Sequence, residues 1–169
     1  MLQVYTGDGK GKTTAAFGQA LRAVGHGWRV IIIQFMKGDP NYGEVVAARA
    51  IESLEVVQTG LPTFVERGNP SREDLAEAQR GLEEARKALR SGRYRMVVLD
   101  EMNVAIDYGL VRLEDALALV DGCPEDVELV FTGRAAHREV VRRAALVSEV
   151  LAIRHPMQQG IVNRAGIDH

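Results

Sequence analysis

The chain has 169 residues, of which 46% are hydrophobic and 26% are charged, and its formal net charge is −2. This length and composition predict one globular domain over residues 1–169 and exclude a largely disordered chain. The small negative charge excludes bulk electrostatic attraction to nucleic acid or to an anionic membrane.

The single cysteine, Cys123, excludes an intrachain disulfide framework. No uninterrupted apolar run approaches the roughly 20 residues that a membrane helix needs. The N-terminus also turns polar too soon for a signal peptide. We therefore predict a cytoplasmic protein with no membrane or nucleic-acid partner.

Short apolar runs alternate with helical patterns along the chain. The runs predict strands at 2–5, 28–35, 54–58, 94–100, 127–133 and 148–153. The helical patterns lie at 12–25, 71–90, 112–121 and 136–145. Two segments fit neither pattern and predict a long loop and an irregular tail, at 59–70 and 154–169. Because buried strands alternate with helices, we predict an α/β fold with a mostly parallel sheet of about six strands and helices on both faces.

The predicted helix at 71–90 carries its apolar residues on one face. Leu75, Leu82 and Leu89 recur every seven residues, which predicts a stripe that packs on the sheet. Ser71 precedes this helix and resembles the first residue of a capping box. The only tryptophan, Trp28, is predicted to lie in a strand and in the core.

The first predicted strand runs directly into the sequence TGDGKGKTT, residues 6–14. Gly11, Lys12 and Thr13 match the end of the phosphate-loop pattern G-x-x-x-x-G-K-[ST], but Thr6 stands where that pattern begins with glycine. In such a loop the backbone N–H groups and the helix N-terminus bind phosphate. The lysine adds positive charge, and the hydroxyl reaches Mg²⁺. The alternative is a glycine-rich turn that binds no ligand.

Gly7 and Gly9 supply two further permissive backbone positions in this loop. Lys10 either contacts phosphate or is a solvated charge. Thus the loop predicts a nucleotide site whose glycines are spaced differently from the usual pattern.

An acidic pair, Asp100 and Glu101, follows the fourth predicted strand. In open α/β folds, ligands bind at the carboxyl ends of parallel strands. A carboxylate at this position holds Mg²⁺ in phosphate-loop enzymes. We predict a metal site here, and the alternative is a strand-end acid that caps a helix.

Other polar residues are predicted near the same sheet edge. Lys37 follows the second strand. Arg134 follows the fifth strand and either binds phosphate or forms a surface ion pair. Arg22, on the first helix, either reaches a ribose or is solvated. His137 is predicted to be a helix cap or a surface residue.

Five segments carry a resemblance to a known family: YTGDGKGKTTAAFGQALRAVGHG, QFMKG, VVLDEMN, TGRAAHRE and RHPMQQGIVNRAGID. In this order they resemble the P-loop type of ATP:corrinoid adenosyltransferase, or cob(I)alamin adenosyltransferase. The first segment is specific, because the family also carries threonine where the leading glycine is expected.

The resemblance implies a P-loop nucleotide-binding, RecA-like fold that is usually a homodimer. It implies transfer of the 5′-deoxyadenosyl group of ATP to the cobalt of a reduced cob(I) corrinoid, with release of triphosphate. The cobalt is itself the nucleophile, so no protein nucleophile is needed. ATP is the co-substrate, Mg²⁺ or Mn²⁺ is the implied metal, and a flavoprotein is a candidate electron donor.

The resemblance also implies roles for individual residues, all of which lie in or near the matched segments. The loop from Thr6 and Gly7 onward cradles the triphosphate through Gly9, Lys10, Gly11, Lys12, Thr13 and Thr14. Asp8 and Arg22 contact the nucleoside. Thr13, Asp100 and Glu101 lie at the metal, Lys12 and Glu101 are the catalytic residues, and Arg134 is a phosphate ligand. The family holds ATP in the reverse direction compared with ordinary ATPases.

Two departures from the family pattern concern the corrinoid. An N-terminal extension that covers the active site in many members has no counterpart before the first strand, so we expect any such lid to be missing or to come from elsewhere. The family's aromatic GFTW-type motif is reduced to Phe64 in the predicted loop. We predict that Phe64 contacts the corrin and helps to displace the lower cobalt ligand.

Two other functions fit the same residues. A P-loop ATPase or small-molecule kinase would use Glu101 as a general base toward water or an acceptor hydroxyl. A nucleotide-dependent regulator would bind ATP and perform no chemistry. The reaction products distinguish these hypotheses from adenosyl transfer.

Overall fold

The computed structural model describes residues 1–161 and 164–168. Val162, Asn163 and His169, which belong to the predicted tail, lie outside the described residues. The strands are β1 (Leu2–Thr6), β2 (Val30–Phe35), β3 (Leu54–Thr59), β4 (Met96–Asp100), β5 (Glu128–Thr132) and β6 (Leu146–Glu149). The helices are α1 (Lys12–Gly25), α2 (Gly43–Ala48), α3 (Arg72–Arg90), α4 (Met102–Asp107), α5 (Leu113–Asp121) and α6 (Arg138–Arg143), with a 3₁₀ helix at Pro156–Gln159.

The six strands form one parallel sheet in the order β3-β2-β4-β5-β1-β6. The prediction of a parallel α/β sheet with helices on both faces is therefore confirmed. In this order β1, β4 and β5 are central, so their carboxyl ends lie side by side. Loops that leave these ends meet at one edge of the sheet, which is where open α/β folds bind ligands.

Each central strand contributes to two separate hydrophobic layers, because successive side chains point to opposite faces. All six residues of β2 are buried. Ile31 and Ile33 pack in the layer beneath α3, whereas Ile32 packs in the layer beneath α1. On α1 the buried contacts are small alanines, which bring this helix close to the sheet; they are Ala16, Ala20 and Ala23.

Helix α3 confirms the predicted cap and most of the predicted stripe. Ser71 is the N-cap, and its hydroxyl oxygen accepts a bond from the Asp74 N–H in a complete capping box. Leu82 and Leu89 are buried, but Leu75 is 41% exposed, so the stripe begins one turn later than predicted. Gly81 is needed in this stripe, because a Cβ there would lie 2.7 Å from the Phe35 ring.

Three details differ from the sequence predictions. Helices α2 and α4 were not predicted, because six residues are too few to display a helical period. Strand β6 lies at Leu146–Glu149 and not at 148–153; its residues are all exposed, so neither face provides an apolar pattern. Trp28 lies before β2, half-buried, with the Arg95 guanidinium 4.4 Å from its ring centroid.

The remaining predictions of irregular structure are confirmed over the described part of the chain. Residues 60–70 form the long loop after β3.

None of the helices within 1–161 and 164–168 is long and apolar enough to cross a membrane.

Candidate nucleotide-binding site

The glycine-rich loop after β1 turns sharply into α1. Gly7 and Gly11 have φ of 96° and 119°, values that side-chain-bearing residues rarely adopt. Gly11 is the N-cap of α1, and no side chain of the described residues caps this end. The first N–H groups of a 14-residue helix are therefore available to an anion.

The same loop packs against the segment that follows β6. The Gly9 N–H donates to the Val150 carbonyl oxygen at 2.7 Å. A Cβ added at Gly7 would lie 2.5 Å from that oxygen, and one at Gly9 would lie 2.6 Å from the Leu151 carbonyl oxygen. Two of the glycines thus serve a close backbone approach, a requirement that the motif alone does not predict.

Thr6, which stands at the unusual start of the motif, has a structural contact of its own. Its hydroxyl oxygen accepts a hydrogen bond from the Ala136 N–H at 3.2 Å. This bond ties the start of the phosphate loop to the connection between β5 and α6. Ala135, beside it, has a left-handed φ of 53°, so the connection turns sharply at this contact.

Lys12 folds back over the loop and is almost fully buried, with 8% of its surface exposed. Its ammonium donates to the Gly9 carbonyl oxygen at 2.6 Å. Burial lowers the pKa of Lys12, and the Glu101 carboxylate opposes that shift. The ammonium is consequently a fixed positive charge at the wall of the cavity described below.

Asp100, at the end of β4, is completely buried and surrounded by donors. Its Oδ1 accepts from the hydroxyls of Thr13 at 2.9 Å and Thr132 at 2.6 Å. Its Oδ2 accepts from the Lys37 ammonium at 2.7 Å and from Gln34 Nε2 at 3.2 Å. Burial acts to raise the pKa of Asp100, but Lys37 and the hydroxyl donors hold it below its usual value.

The sheet register explains why these partners surround Asp100. Gln34 of β2 pairs directly with Asp100 of β4. On the other side, Leu99 pairs with Phe131, so Thr132 at the end of β5 comes next to Asp100. The network therefore follows from strand pairing as well as from the motif.

Glu101 turns from the end of β4 into α4 in a left-handed conformation with φ of 62°. This is a strained position for glutamate, and such positions concentrate at functional sites. The Glu101 N–H donates to the Thr132 hydroxyl oxygen at 2.9 Å. Burial and the neighbouring Asp100 charge raise the pKa of Glu101. A cation beside the carboxylate would offset both effects, so this position suits a cation.

The two carboxylates differ in their capacity to bind a metal. Both oxygens of Asp100 already accept two hydrogen bonds each, which fills the lone pairs of a carboxylate. In this arrangement Asp100 has no lone pair left for a metal, whereas Thr13 and Glu101 could hold one; the metal set of Thr13, Asp100 and Glu101 stays a prediction. A hydroxyl and one carboxylate are ligands that Mg²⁺ accepts together with substrate phosphates.

Across the described residues there is no cluster of three or more His, Cys, Asp or Glu side chains that could hold a metal ion.

A cavity of about 600 Å³ opens at this edge of the sheet, a volume within the range of small-molecule sites. Part of its lining is polar or charged and comes from the phosphate loop, α1 and the strand ends; this set, called the charged side below, is Lys10, Gly11, Lys12, Thr13, Thr14, Lys37, Glu101 and Arg134. Another part is apolar or aromatic; this set, called the apolar side below, is Phe17, Tyr42, Phe64, Pro156, Ile161 and Ile167. The lining also includes Gly43, Glu44, His155, Gly166 and Asp168.

Eight of the fourteen residues predicted for the site line the cavity: Lys10, Gly11, Lys12, Thr13, Thr14, Phe64, Glu101 and Arg134. Thr6, Gly7, Gly9 and Asp100 lie behind them in the loop and at the end of β4, and two more lie apart. Asp8 is exposed and does not line the cavity. Arg22 is also exposed, and its guanidinium donates to Gln19 at 3.2 Å. Lys10 lines the cavity and forms an ion pair with Asp168 at 2.9 Å. His137 caps α6 by accepting from the Glu139 N–H, as predicted.

Several residues at the site were not identified from the sequence. Gln34 had a detectable signal, since it is a polar residue within an apolar run. Tyr42 and Glu44 line the cavity from the start of the unpredicted helix α2. The tail residues that border the cavity lie too far along the chain for any spacing argument.

Comparison with known proteins identifies relatives over the whole chain. A family model described as ATP:corrinoid adenosyltransferase BtuR/CobO/CobP matches residues 1–169. The corrinoid adenosyltransferase of Escherichia coli K12 is 36% identical over 168 residues, which are 98% of this chain and 84% of the relative. Corrinoid adenosyltransferase CobA of Salmonella typhimurium is 35% identical, with the same coverage of both chains.

A protein of Nostoc sp. PCC 7120, uncharacterized protein all2391, is 35% identical over 179 residues. The alignment covers 99% of this chain but 47% of that relative, so the chain spans about half of the Nostoc protein.

Proposed function

The chain belongs to the ATP:corrinoid adenosyltransferase family, and from this premise we propose the roles of its site residues. The enzyme transfers an adenosyl group from ATP to a corrinoid. In the proposed reaction, the cobalt of a cob(I) corrinoid attacks C5′ of ATP. A cobalt–carbon bond forms, the C5′–oxygen bond breaks, and its electron pair leaves with triphosphate. The ATPase or kinase hypothesis is not favoured by this family membership.

One observation supports the proposal: a single cavity is lined by both charged and apolar residues. Lys12, Thr13 and Glu101 belong to the charged part of its lining, and Phe64 and Ile167 belong to the apolar part. Such a cavity suits a triphosphate together with a large, flat, mostly apolar macrocycle.

The charged side has the task of stabilising the leaving triphosphate. Charge develops on the C5′ oxygen as its bond to carbon breaks, so cations placed beforehand lower the barrier. Lys12 is fixed by its bond to the Gly9 carbonyl oxygen and needs little reorganisation. The N–H groups at the start of α1 and the Arg134 guanidinium complete the proposed triphosphate site.

A divalent metal would be held by the Thr13 hydroxyl and the Glu101 carboxylate. Mg²⁺ or Mn²⁺ in this position supplies charge neutralisation to the triphosphate. Asp8 and Arg22 stay predictions as nucleoside contacts, since both lie outside the cavity wall.

The corrinoid is proposed to lie against the apolar side. Phe64 is completely exposed in the loop after β3, and an exposed aromatic ring at a cavity mouth gains from covering an apolar ligand. Placing the corrin there would hold cobalt near C5′, and this positioning is the main catalytic task when the nucleophile belongs to a substrate. By family likeness we further propose a homodimer and electron supply from a flavoprotein.

The proposed function is tested by incubating the protein with ATP, Mg²⁺ and chemically reduced cob(I)alamin while recording the visible spectrum. We expect a light-sensitive product with the spectrum of a cobalt–carbon bond. A reaction with unreduced cobalamin is the control and is expected to stay unchanged. A persistent cob(I) spectrum in the presence of folded protein and ATP would reject adenosyl transfer.

A further inference from the structure

Lys37 follows β2 and is aimed at the phosphate loop by its backbone. Met36, immediately before it, has a left-handed φ of 60°, a conformation that costs free energy in a residue with a side chain. Gly38 and Gly60 come into direct backbone contact across this turn. The direction of the Lys37 side chain is therefore held by local structure and not by its own rotamers alone.

The Lys37 ammonium lies between two groups that usually attract a metal. It is 2.7 Å from Asp100 Oδ2 and 3.2 Å from Thr13 Oγ1. A divalent ion bound directly to Asp100 Oδ2 would have to enter the space that this ammonium occupies. An ammonium and a divalent ion at such a distance repel each other strongly. The Asp100 carboxylate is thus already paired with a cation, the Lys37 ammonium.

The ammonium also has a donor to spare. A lysine ammonium carries three N–H bonds, and Asp100 and Thr13 are the two acceptors found for it among the described residues. Its side chain is 18% exposed, and Lys37 borders the cavity on the charged side, together with Lys12. The remaining N–H is available to an anion in the cavity.

We propose that Lys37 is a second triphosphate-binding lysine, and that Asp100 acts as its anchor and not as a metal ligand. This inference deepens the proposed function, on which it rests, by assigning a further residue to the leaving group. It has two consequences. Part of the triphosphate affinity is independent of divalent metal, and the metal depends on Glu101 far more than on Asp100.

The first consequence is tested with inorganic triphosphate as the probe, titrated calorimetrically in EDTA. Lys37→Met alone would leave the buried Asp100 charge unpaired and endanger folding. We therefore compare the unaltered protein with the double variant Lys37→Met/Asp100→Asn, in which neither charge remains and the net charge is unchanged. Loss of a charge-assisted hydrogen bond predicts roughly tenfold or greater weakening in the double variant. Equal affinities of the two proteins, with both folded by circular dichroism, would overturn the proposal.

The second consequence is tested by the binding of Mn²⁺ to the ATP complex, measured from the paramagnetic resonance of free Mn²⁺. We expect Glu101→Gln to weaken Mn²⁺ binding about tenfold or more, and Asp100→Asn to change it by less than about threefold. An equal loss in the two variants, with both still folded by circular dichroism, would show that Asp100 is a metal ligand and would reject its role as an anchor.

Neither measurement uses a corrinoid. Failure of the inference about Lys37 is therefore distinguishable from failure of the proposed function. A protein that binds triphosphate through Lys37 but forms no cobalt–carbon bond keeps this inference and loses the proposed reaction. Formation of the cobalt–carbon bond, together with equal triphosphate affinity in the unaltered protein and the double variant, would keep the proposed reaction and reject this inference.

Discussion

The charged and apolar sides of the cavity are built in different ways. On the charged side, Lys12 is 8% exposed and donates to Gly9 of the phosphate loop. Behind it, Asp100 is fully buried and accepts from side chains at strand ends, on α1 and from Lys37. On the apolar side, Phe64 is 100% exposed on a loop of 11 residues, 60–70. A charged leaving group needs donors fixed in advance, because any reorganisation reduces their effect. A flat apolar ligand needs only surface, which a loop can supply.

The attachment of the loop that carries Phe64 illustrates the same contrast. Arg67 in this loop pairs with Asp107 of α4 at 2.8 Å, but the arginine side chain is 67% exposed. Exposed pairs of this kind contribute little to stability. We therefore expect substitutions on the charged side to affect chemistry and to lower stability, and substitutions in the loop that carries Phe64 to affect corrinoid affinity alone.

The largest effect is expected for Lys12→Ala. It removes the buried ammonium that faces the leaving group and deprives the Gly9 carbonyl of its donor. Removing one preorganised donor of developing charge costs about 10²–10³ in rate. We expect a loss of that size in the initial rate of cobalt–carbon bond formation, with the fold retained by circular dichroism. A rate within tenfold of that of the unaltered protein would contradict the assignment of Lys12.

Gly9→Ala, compared with Gly18→Ala, tests the backbone contact behind the loop. The added Cβ at Gly9 would lie 2.6 Å from the Leu151 carbonyl oxygen, whereas at Gly18 it meets no atom within 4 Å. Overpacking of this kind costs about 1–3 kcal/mol, so we expect a lower melting temperature and weaker ATP binding. Gly18→Ala lies within a helix and is expected to raise the melting temperature by roughly 2–4 °C.

These two variants are measured by thermal melting and by ATP titration under the same conditions. Gly9→Ala protein that melts and binds ATP like the unaltered protein would show that the loop does not depend on the segment after β6.

Phe64→Ala is expected to act on the corrinoid alone. The ring is fully exposed, so its removal leaves the melting temperature unchanged. Burial of an aromatic ring against a ligand is worth about 1.5–3 kcal/mol, which predicts a KM for the corrinoid raised by roughly tenfold or more. Leu21→Ala, an exposed residue of α1 outside the cavity, is the matched control. A changed KM for ATP with an unchanged KM for the corrinoid would show that Phe64 contacts ATP and not the corrinoid.

The smallest effect is expected for Asp168→Asn, which breaks the ion pair with Lys10. Hydrogen bonds from Arg164 and Lys10 hold the pKa of Asp168 well below its usual value. The stabilisation is therefore present above about pH 4 and is lost as the pH falls through the lowered pKa. Because the carboxylate is exposed, salt screens the pair.

At pH 7 and low salt, we expect Asp168→Asn to lower the melting temperature by less than about 2 °C. The difference should shrink in 1 M salt and below about pH 3. A shift that exceeded that of Gly9→Ala, or that grew with salt, would show that the tail is held on the loop by something other than this pair.

The same contrast explains which parts of the site could be predicted from the sequence. Lys12, Thr13 and Glu101 lie at fixed distances along the chain from strand ends, so the motif and the strand pattern place them together. The Lys37–Asp100 pair depends on side-chain direction after a left-handed turn at Met36. No spacing rule supplies that direction.

Contacts between distant parts of the chain were also beyond the sequence. Gly9 donates to Val150, which lies more than a hundred residues away along the chain. In the sequence, a glycine that such a backbone contact requires cannot be distinguished from one that phosphate binding requires. The predicted position of β6 was wrong by several residues, because an exposed edge strand lacks the two-sided apolar pattern of its neighbours. The fold was predictable where burial is complete, and less so at the edge.

The most direct test of the central claim is the identity of the phosphate product, followed by ³¹P nuclear magnetic resonance during turnover with ATP, Mg²⁺ and cob(I)alamin. If the charged side holds the triphosphate as the leaving group, intact inorganic triphosphate appears in step with the cobalt–carbon product, and none forms without the reduced corrinoid. Formation of ADP and phosphate at the same rate with or without corrinoid would contradict this account.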